Sequence, residues 1–321
     1  MKFTPLKFQG TLAAAGVALM PYIFLKINIF KSEGDISSAN LSLLSNGPLE
    51  YGIAWFLITV MGLFIIIHFT LTTIFLKELF VWLLTLTNFK ELMKNPLANS
   101  ALFSPLISLP MTMVVFFGPV SFFVPQLTEN MQSLMLPAFI VFGFLWAILI
   151  SLEMTAAKVF FTQSVDHEKL NFGWLLDVLA LGAVSLFGSS IADLSNSNLI
   201  SSFAAFMVMV ALLLGIAVFF VKVVILFYQQ IKSKVMPDVN ILPAYFLIVP
   251  PMCLLGFSFY KLLGYASKTY GFDANAISFL IMVFSYLTAM SWFIFSIALL
   301  REYLKKEFMA SEFSPAQWGM V

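Results

Sequence analysis

The 321-residue sequence contains few charged residues, a single cysteine and two histidines. Only 10% of its residues are charged and 61% are hydrophobic, whereas soluble domains are about 25% charged and about 45–50% apolar. A soluble protein of this size could not cover its surface with so few charges. The net charge of +1, without a basic cluster, excludes a nucleic-acid-binding protein. The composition therefore predicts one polytopic membrane domain over residues 1–321.

The scarcity of cysteine and histidine excludes most metal and redox chemistry. Cys253 alone cannot form an intrachain disulfide, an iron–sulfur cluster or a thiolate zinc site. His68 and His167 lie far apart in the chain, and the VDHEKL segment around His167 lacks the i, i+4 histidine pair of a helical zinc site. We therefore predict no metal, no cofactor and no enzymatic activity.

Eight apolar stretches are each long enough to cross a hydrocarbon core of about 30 Å as a helix of about 20 residues. We number them spans 1 to 8, and the predicted ranges are 8–30, 51–75, 101–123, 134–161, 172–194, 199–228, 241–263 and 276–300. An apolar run resumes after Lys77 and Glu78, so span 2 is longer, is shifted, or is followed by an interfacial segment containing Trp82.

The distribution of lysine and arginine predicts the orientation. The N-terminus and the segments at the ends of the even-numbered spans carry thirteen of the 17 basic residues, and the other side carries four. Positively charged loops stay in the cytoplasm during membrane insertion. We therefore expect a multi-pass protein of the cell (inner) membrane with a cytoplasmic N-terminus.

The odd-numbered spans contain most of the helix-breaking residues, whereas the even-numbered spans are smooth apolar segments. Proline removes a backbone donor, and the freed polar groups must be satisfied away from lipid. This contrast predicts kinked inner helices around a central pore, with even-numbered helices outside. Small residues also promote plain helix packing, which is the alternative explanation. The pore-lining candidates are Gly10, Pro21, Pro110, Thr112, Gly118, Pro119, Asp177, Gly182, Ser185, Gly188, Ser189, Pro250 and Pro251.

Odd-numbered spans recur roughly every 70 residues after a longer first unit, which predicts repeated helical hairpins. The expected repeats are approximately 8–94, 101–162, 172–230 and 241–306. Residues 313–321, FSPAQWGMV, combine a helix-start pattern with the onset of an apolar run. We expect the beginning of a ninth span there, in an incomplete fifth hairpin; a short amphipathic tail is the alternative.

Four segments resemble the tellurite-resistance/dicarboxylate transporter family, which includes the plant slow anion channels. They are FQGTLAAAGVALMP at Phe8–Pro21, NPLANSALFSPLISLPMTM at Asn95–Met113, SLEM at Ser151–Met154 and PAYFLIVPPMCLLGFS at Pro243–Ser258. The resemblance implies ten helices in five hairpins, inner helices lining a pore, cytoplasmic termini and a homotrimer. It also implies that a phenylalanine on the ninth helix plugs the pore. No residue up to Val321 is assigned that role.

Polar residues inside the spans could carry protons or line a pore. Two interpretations of Asp177 are open. In the first, it binds protons or shapes the pore opening. In the second, it is a carboxylate at the cytoplasmic interface near a helix N-terminus. His68, Glu153 and Lys222 lie on successive even-numbered spans. We expect Glu153 and Lys222 to snorkel toward headgroups and His68 to bond between helices. A polar relay in which Glu153 pairs with Lys158 or Lys222 is the alternative.

These features favour a passive channel or exporter for small anions, of the dicarboxylate, sulfite, oxyanion or halide class. The expected partners are the lipid bilayer and the anion. A proton-coupled secondary transporter and a non-conducting membrane subunit of a larger complex are the alternatives.

Overall fold

The computed structural model describes residues 3–32, 36–43, 47–166, 169–234, 236–308, 310 and 317. Within these residues, eight helices are long and apolar enough to cross a membrane, which confirms the eight predicted spans. Spans 1 to 8 are Pro5–Ile29, Pro48–Leu84, Asn99–Phe123, Met131–Thr162, Phe172–Leu194, Asn198–Ser233, Leu242–Tyr270 and Asn275–Leu299.

Span 2 is the longest helix, and it shows which of the three sequence alternatives holds. It runs without interruption from Pro48 to Leu84 and includes Trp82. A separate amphipathic helix, Leu86–Lys94, follows it. Lys77 and Glu78 therefore do not end the helix.

The even-numbered spans are each one continuous α-helix, whereas every odd-numbered span begins with a 3-10 turn. These four 3-10 turns are Pro5–Lys7, Asn99–Phe103, Phe172–Leu175 and Leu242–Ile248. Span 4, an even-numbered span, contains Pro137 and is still one continuous α-helix. The predicted difference between the two kinds of span is therefore present in the backbone.

Two odd-numbered spans also contain a π-helical segment near their second end. In span 1 the segment Leu25–Ile29 follows Pro21, and in span 3 the segment Phe116–Val120 contains Pro119. Proline lacks the N–H that the regular helix requires, and a π-helical turn is one way to accommodate the disruption. These two spans are therefore disturbed where the sequence predicts kinks.

Burial separates the two kinds of span. In the most apolar window of each helix, 94% of residues are buried in span 5, 61% in span 7, 50% in span 3 and 39% in span 1. The corresponding shares are 33%, 28%, 22% and 11% in spans 6, 4, 2 and 8. Spans 1 and 3, 3 and 5, and 5 and 7 pack directly against each other. The odd-numbered spans thus form an inner row with span 5 deepest.

Close packing around span 5 depends on small residues. A Cβ atom at Gly188 would overlap the Phe142 ring of span 4 and the Val208 side chain of span 6. A Cβ atom at Gly182 would lie 2.9 Å from Cβ of Leu254 in span 7. The helices around span 5 therefore approach it closely at both glycines.

The predicted ninth span lies outside the described residues except for Gln317. Its Nε2 donates a hydrogen bond of 3.3 Å to the Tyr303 hydroxyl group. The start of a fifth hairpin remains an expectation from the sequence.

We predict that Gly188→Ala lowers the free energy of unfolding by about 1–3 kcal/mol, because the added methyl group overpacks a close helix contact. Thermal unfolding of the purified protein in detergent would measure the change. Gly52→Ala is the matched control, since nothing lies within 4 Å of the added atom and alanine favours the helix. Equal stability of the two variants would contradict the packing argument.

Candidate functional site

A cavity of about 1320 Å³ lies where the four odd-numbered spans begin. All four 3-10 turns contribute to its wall, through residues such as Pro5, Ser100, Gly173 and Ala244. Consecutive 3-10 turns contact each other in chain order. The end of span 2 and the helix Leu86–Lys94 close the remaining wall. We call this cavity the vestibule.

The vestibule wall is mainly apolar, and it contains ten polar side chains, of which three are charged. Its charged lining residues are Lys77, Glu78 and Glu91. Glu78 accepts a hydrogen bond of 2.9 Å from Nζ of Lys7, so one of these charges is paired. The uncharged polar side chains supply amide and hydroxyl groups, and they are Thr4, Gln9, Thr85, Asn88, Ser100, Asn171 and Asn240.

The backbone at the vestibule favours negative charge. The first N–H groups of a helix have no partner within the helix, and the helix dipole places partial positive charge at that end. Four odd-numbered spans begin at this cavity. At span 5, Oδ1 of Asn171 accepts a hydrogen bond of 2.9 Å from the Gly173 N–H. The helix starts therefore supply partial positive charge to a cavity whose charged lining side chains are one lysine and two glutamates.

A chain of buried hydrogen bonds continues from the vestibule between spans 1 and 3. We call it the polar ladder, and its members are Gln9, Thr11, His68, Ser104, Ser108 and Thr112. Nε2 of Gln9, which lines the vestibule, donates to Oγ of Ser104 at 3.0 Å. One turn further on, the hydroxyl groups of Thr11 and Ser108 are hydrogen-bonded to each other. The two inner helices are therefore joined by polar contacts.

His68 of span 2 completes the polar ladder. Its Nδ1 lies 2.8 Å from the Thr11 carbonyl oxygen, which can only accept, so Nδ1 carries hydrogen. Its Nε2 lies 2.9 Å from Oγ1 of Thr112. The side chain is fully buried. The prediction that His68 bonds between helices is confirmed, and the predicted pore residue Thr112 is one of its partners.

The structure contradicts the predicted snorkelling of Lys222. Its ammonium group is paired with the carboxylate of Asp177, donates to the Trp174 carbonyl oxygen at 2.9 Å and lies 4.3 Å from the centre of the Trp174 ring. The side chains of Lys222 and Asp177 are only 9% and 3% exposed. An inward-facing partner outweighs the pull of the headgroups, because the carboxylate would otherwise be buried unpaired.

The prediction for Glu153 is also wrong. The residue is 5% exposed, and its Oε2 is buried without a hydrogen-bond partner. Lys222, one of its two suggested partners, is bonded to Asp177. Glu153, Asp177 and Lys222 instead line one smaller groove of about 260 Å³. Asp177 is thus a buried, paired carboxylate in the first turn of the α-helix Leu176–Leu194.

The predicted pore-lining prolines and glycines occupy two kinds of position. Pro250 and Pro251 stand at the first turn of the α-helix Val249–Tyr270, where a missing N–H costs little. A Cβ atom added at Gly118 would lie 3.4 Å from the Tyr22 ring. The other proline and glycine candidates are buried within the spans, and they are Gly10, Pro21, Pro110, Pro119, Gly182 and Gly188.

The predicted serine donors of span 5 differ in their bonding. The Ser189 hydroxyl donates to the Leu186 carbonyl oxygen at 3.0 Å. The Ser185 hydroxyl is buried without a partner. Ser185 lies one turn beyond Leu181, which packs near Gly215 of span 6, so it shares a face that meets an outer helix. Pore lining by either serine remains a prediction.

None of the thirteen predicted residues lines the vestibule. Sequence reasoning concentrated on helix breakers and missed the polar residues near the starts of the odd-numbered spans. One signal was present: Gln9, Ser100, Asn171 and Asn240 each lie within a few residues of the start of an odd-numbered span. His167, the other histidine, lies outside the described residues.

The fold and the vestibule define a multi-pass membrane protein with a cavity at the starts of its inner helices. The family model described as voltage-dependent anion channel, SLAC1, matches residues 2–321. The chain belongs to this family, and the resemblance to the slow anion channels is confirmed. No curated protein and no solved structure matches the chain. Family membership and the membrane-spanning helices together support anion transport in general.

We predict that Lys222→Met lowers the free energy of unfolding by about 3–5 kcal/mol, because it leaves the buried Asp177 carboxylate unpaired. Thermal unfolding in detergent would measure the loss. Lys268→Met is the matched control: Lys268 pairs with Asp193 at 2.6 Å, but its side chain is 67% exposed. Removal of an exposed pair costs about 1 kcal/mol or less. Equal losses would show that Lys222 is not a buried structural ion.

Proposed function

We propose that the protein is a passive channel or exporter for small anions, and that the anion enters through the vestibule. The observation that carries the proposal is the cavity of about 1320 Å³ at the starts of four inner helices, with seven uncharged polar side chains in its wall. The substrates we propose are small dicarboxylates, sulfite, other oxyanions or halides, because a cavity lined by amides and hydroxyls does not demand one anion shape.

The bonding capacity of the vestibule supports passive transport. Conduction requires binding that is strong enough to admit an ion and weak enough to release it. Amide and hydroxyl donors with helix N-termini supply weak, distributed attraction, whereas a cluster of unpaired lysines or arginines would hold the anion. Lys77 is the one cationic side chain among the described lining residues.

The polar ladder is the route that we propose for the first part of the passage. It begins at Gln9 in the vestibule and reaches His68 and Thr112 within the membrane-spanning part of the protein. Its hydroxyl groups are hydrogen-bonded to other members of the ladder, so a passing anion would exchange these bonds for bonds to itself. The predicted pore residues of spans 5 and 7 would line the path beyond it.

The lysine distribution supports a vestibule that faces the cytoplasm. The starts of the odd-numbered spans lie on the side that carries thirteen of the 17 basic residues. We therefore propose a cytoplasmic N-terminus and a location in the cell (inner) membrane.

A homotrimer is the assembly that the family resemblance suggests. A stoichiometric foreign partner after mild purification would instead favour the alternative of a non-conducting subunit.

The direct test is anion flux into liposomes that contain the purified protein. We expect chloride, nitrate, sulfite or a small dicarboxylate to pass down its gradient, with electrical balance supplied by an added potassium ionophore. Liposomes without protein and liposomes with a heat-denatured sample are the controls. No flux of any of these anions through correctly folded protein would contradict the proposal.

We predict that Asn171→Asp lowers anion flux roughly tenfold. A unit negative charge about 10 Å from a passing anion repels it by roughly 1–2 kcal/mol at an effective dielectric constant of about 20. Aspartate keeps the side-chain oxygen that accepts from Gly173, so the local cap is preserved. Asn130→Asp, exposed between spans 3 and 4 at the other end of the helices, is the control. An unchanged flux in Asn171→Asp would remove the vestibule from the path.

A further inference from the structure

We propose that the groove between spans 4, 5 and 6 is a proton-binding site whose carboxyl group is Glu153. The groove has a volume of about 260 Å³ and shares no lining residue with the vestibule, although chain neighbours such as Leu176 and Asp177 line the two cavities. Glu153 of span 4, Asp177 of span 5 and Lys222 of span 6 meet in it. The remaining wall is mainly apolar and aromatic, including Phe160 and Trp174.

The bonding of the three groups identifies the one that holds the proton. Oδ2 of Asp177 is paired with Lys222, and Oδ1 accepts from the Val178 N–H at 2.7 Å. Both oxygens of Asp177 therefore have a donor. Glu153 has no such donor at its buried Oε2. An ionised Glu153 would add an unpaired negative charge next to a second carboxylate, so the neutral acid is the form that fits.

The charged groups that face Glu153 come from the helices packed against span 4. Asp177 of span 5 and Lys222 of span 6 line the groove, and both act electrostatically on Glu153. The adjoining 3-10 turn of span 3 contributes the uncharged Asn99. The helix Leu86–Lys94 also packs against span 4, but its charged residues Lys90, Glu91 and Lys94 are not among the groove's described lining residues. The site therefore contains two carboxylates and one ammonium group.

Loss of the proton would give Lys222 a second carboxylate to bind. Glu153 lies on an outer helix and Asp177 on the most buried inner helix, so movement of the ammonium group toward Glu153 would weaken the bond between spans 5 and 6. Asp177 follows Leu176, which lines the vestibule. Gly173 and Asn171, slightly earlier in the chain, also line it. Proton release to water would thus loosen the first turn of span 5 at the vestibule wall. This effect on flux rests on the proposed function, whereas proton binding does not.

Infrared difference spectroscopy of the purified protein tests the proton site without any transport measurement. We expect the C=O band of a protonated carboxylic acid in the wild-type protein, and we expect it to be absent in Glu153→Gln. Asp177→Asn should also remove it, because Lys222 would then turn to Glu153 as its one remaining carboxylate partner in the groove. Glu129→Gln, at an exposed position, should keep the band. A band that persists in Glu153→Gln would overturn the assignment.

Anion flux as a function of pH tests the coupling. A single titrating group changes its ratio of protonated to ionised form about tenfold per pH unit. Wild-type flux should therefore change with pH over a range of about two pH units. Glu153→Gln, a neutral mimic of the protonated acid, should hold the low-pH flux across that range, and Glu129→Gln should behave as the wild type.

The outcomes separate the two proposals. A pH-dependent flux that survives unchanged in Glu153→Gln would overturn the coupling. Absence of flux in every protein, with the infrared band present in the wild type and lost in Glu153→Gln, would overturn the proposed function and support the proton site. Gel filtration and thermal unfolding of each variant would show that a lost band does not come from unfolded protein.

Discussion

Backbone hydrogen bonding in a membrane is the constraint on which this structure depends. The hydrocarbon core offers no water to an unpaired N–H or C=O group, so irregular backbone is tolerated only where protein or a wet cavity surrounds it. Among the described spans, the 3-10 turns and π-helical segments belong to the inner row of odd-numbered spans. The smooth helices of spans 2, 4, 6 and 8 satisfy their own backbone and lie outside. The inner row, the vestibule and the polar ladder follow from this division.

The vestibule and the polar ladder both contain uncharged hydrogen-bonding side chains, the first at the starts of the inner helices and the second deeper between spans 1 and 3. In the vestibule, amide and hydroxyl side chains join the starts of four helices. In the ladder, hydroxyl groups on spans 1 and 3 bond to each other and to His68. Neither relies on a row of unpaired cations. A polar surface without strong fixed charge lets an anion replace existing hydrogen bonds at little net cost, which suits passive movement more than tight binding.

Buried charge connects the outer helices to the inner row. Lys222 of span 6 is drawn toward Asp177 of span 5 because a carboxylate inside a membrane protein needs a compensating charge. Glu153 of span 4 reaches the same groove with no donor for its Oε2. The outer helices are therefore more than a lipid-facing layer: two of them supply ionisable groups that contact or approach the start of the most buried helix.

The sequence by itself determined the number of spans, their approximate ends and the distinction between inner and outer helices, because hydrophobic length and proline content act locally along each helix. It also located Asp177 and Thr112 as polar positions of interest. Only the tertiary structure decided their partners: Lys222 turns inward, His68 joins spans 1 and 3, and Gly188 packs against Phe142. The vestibule likewise depended on bringing together four 3-10 turns distant in sequence. The burial and pairing of side chains depend on which helices become neighbours, and the hydrophobicity of a segment does not indicate its neighbours.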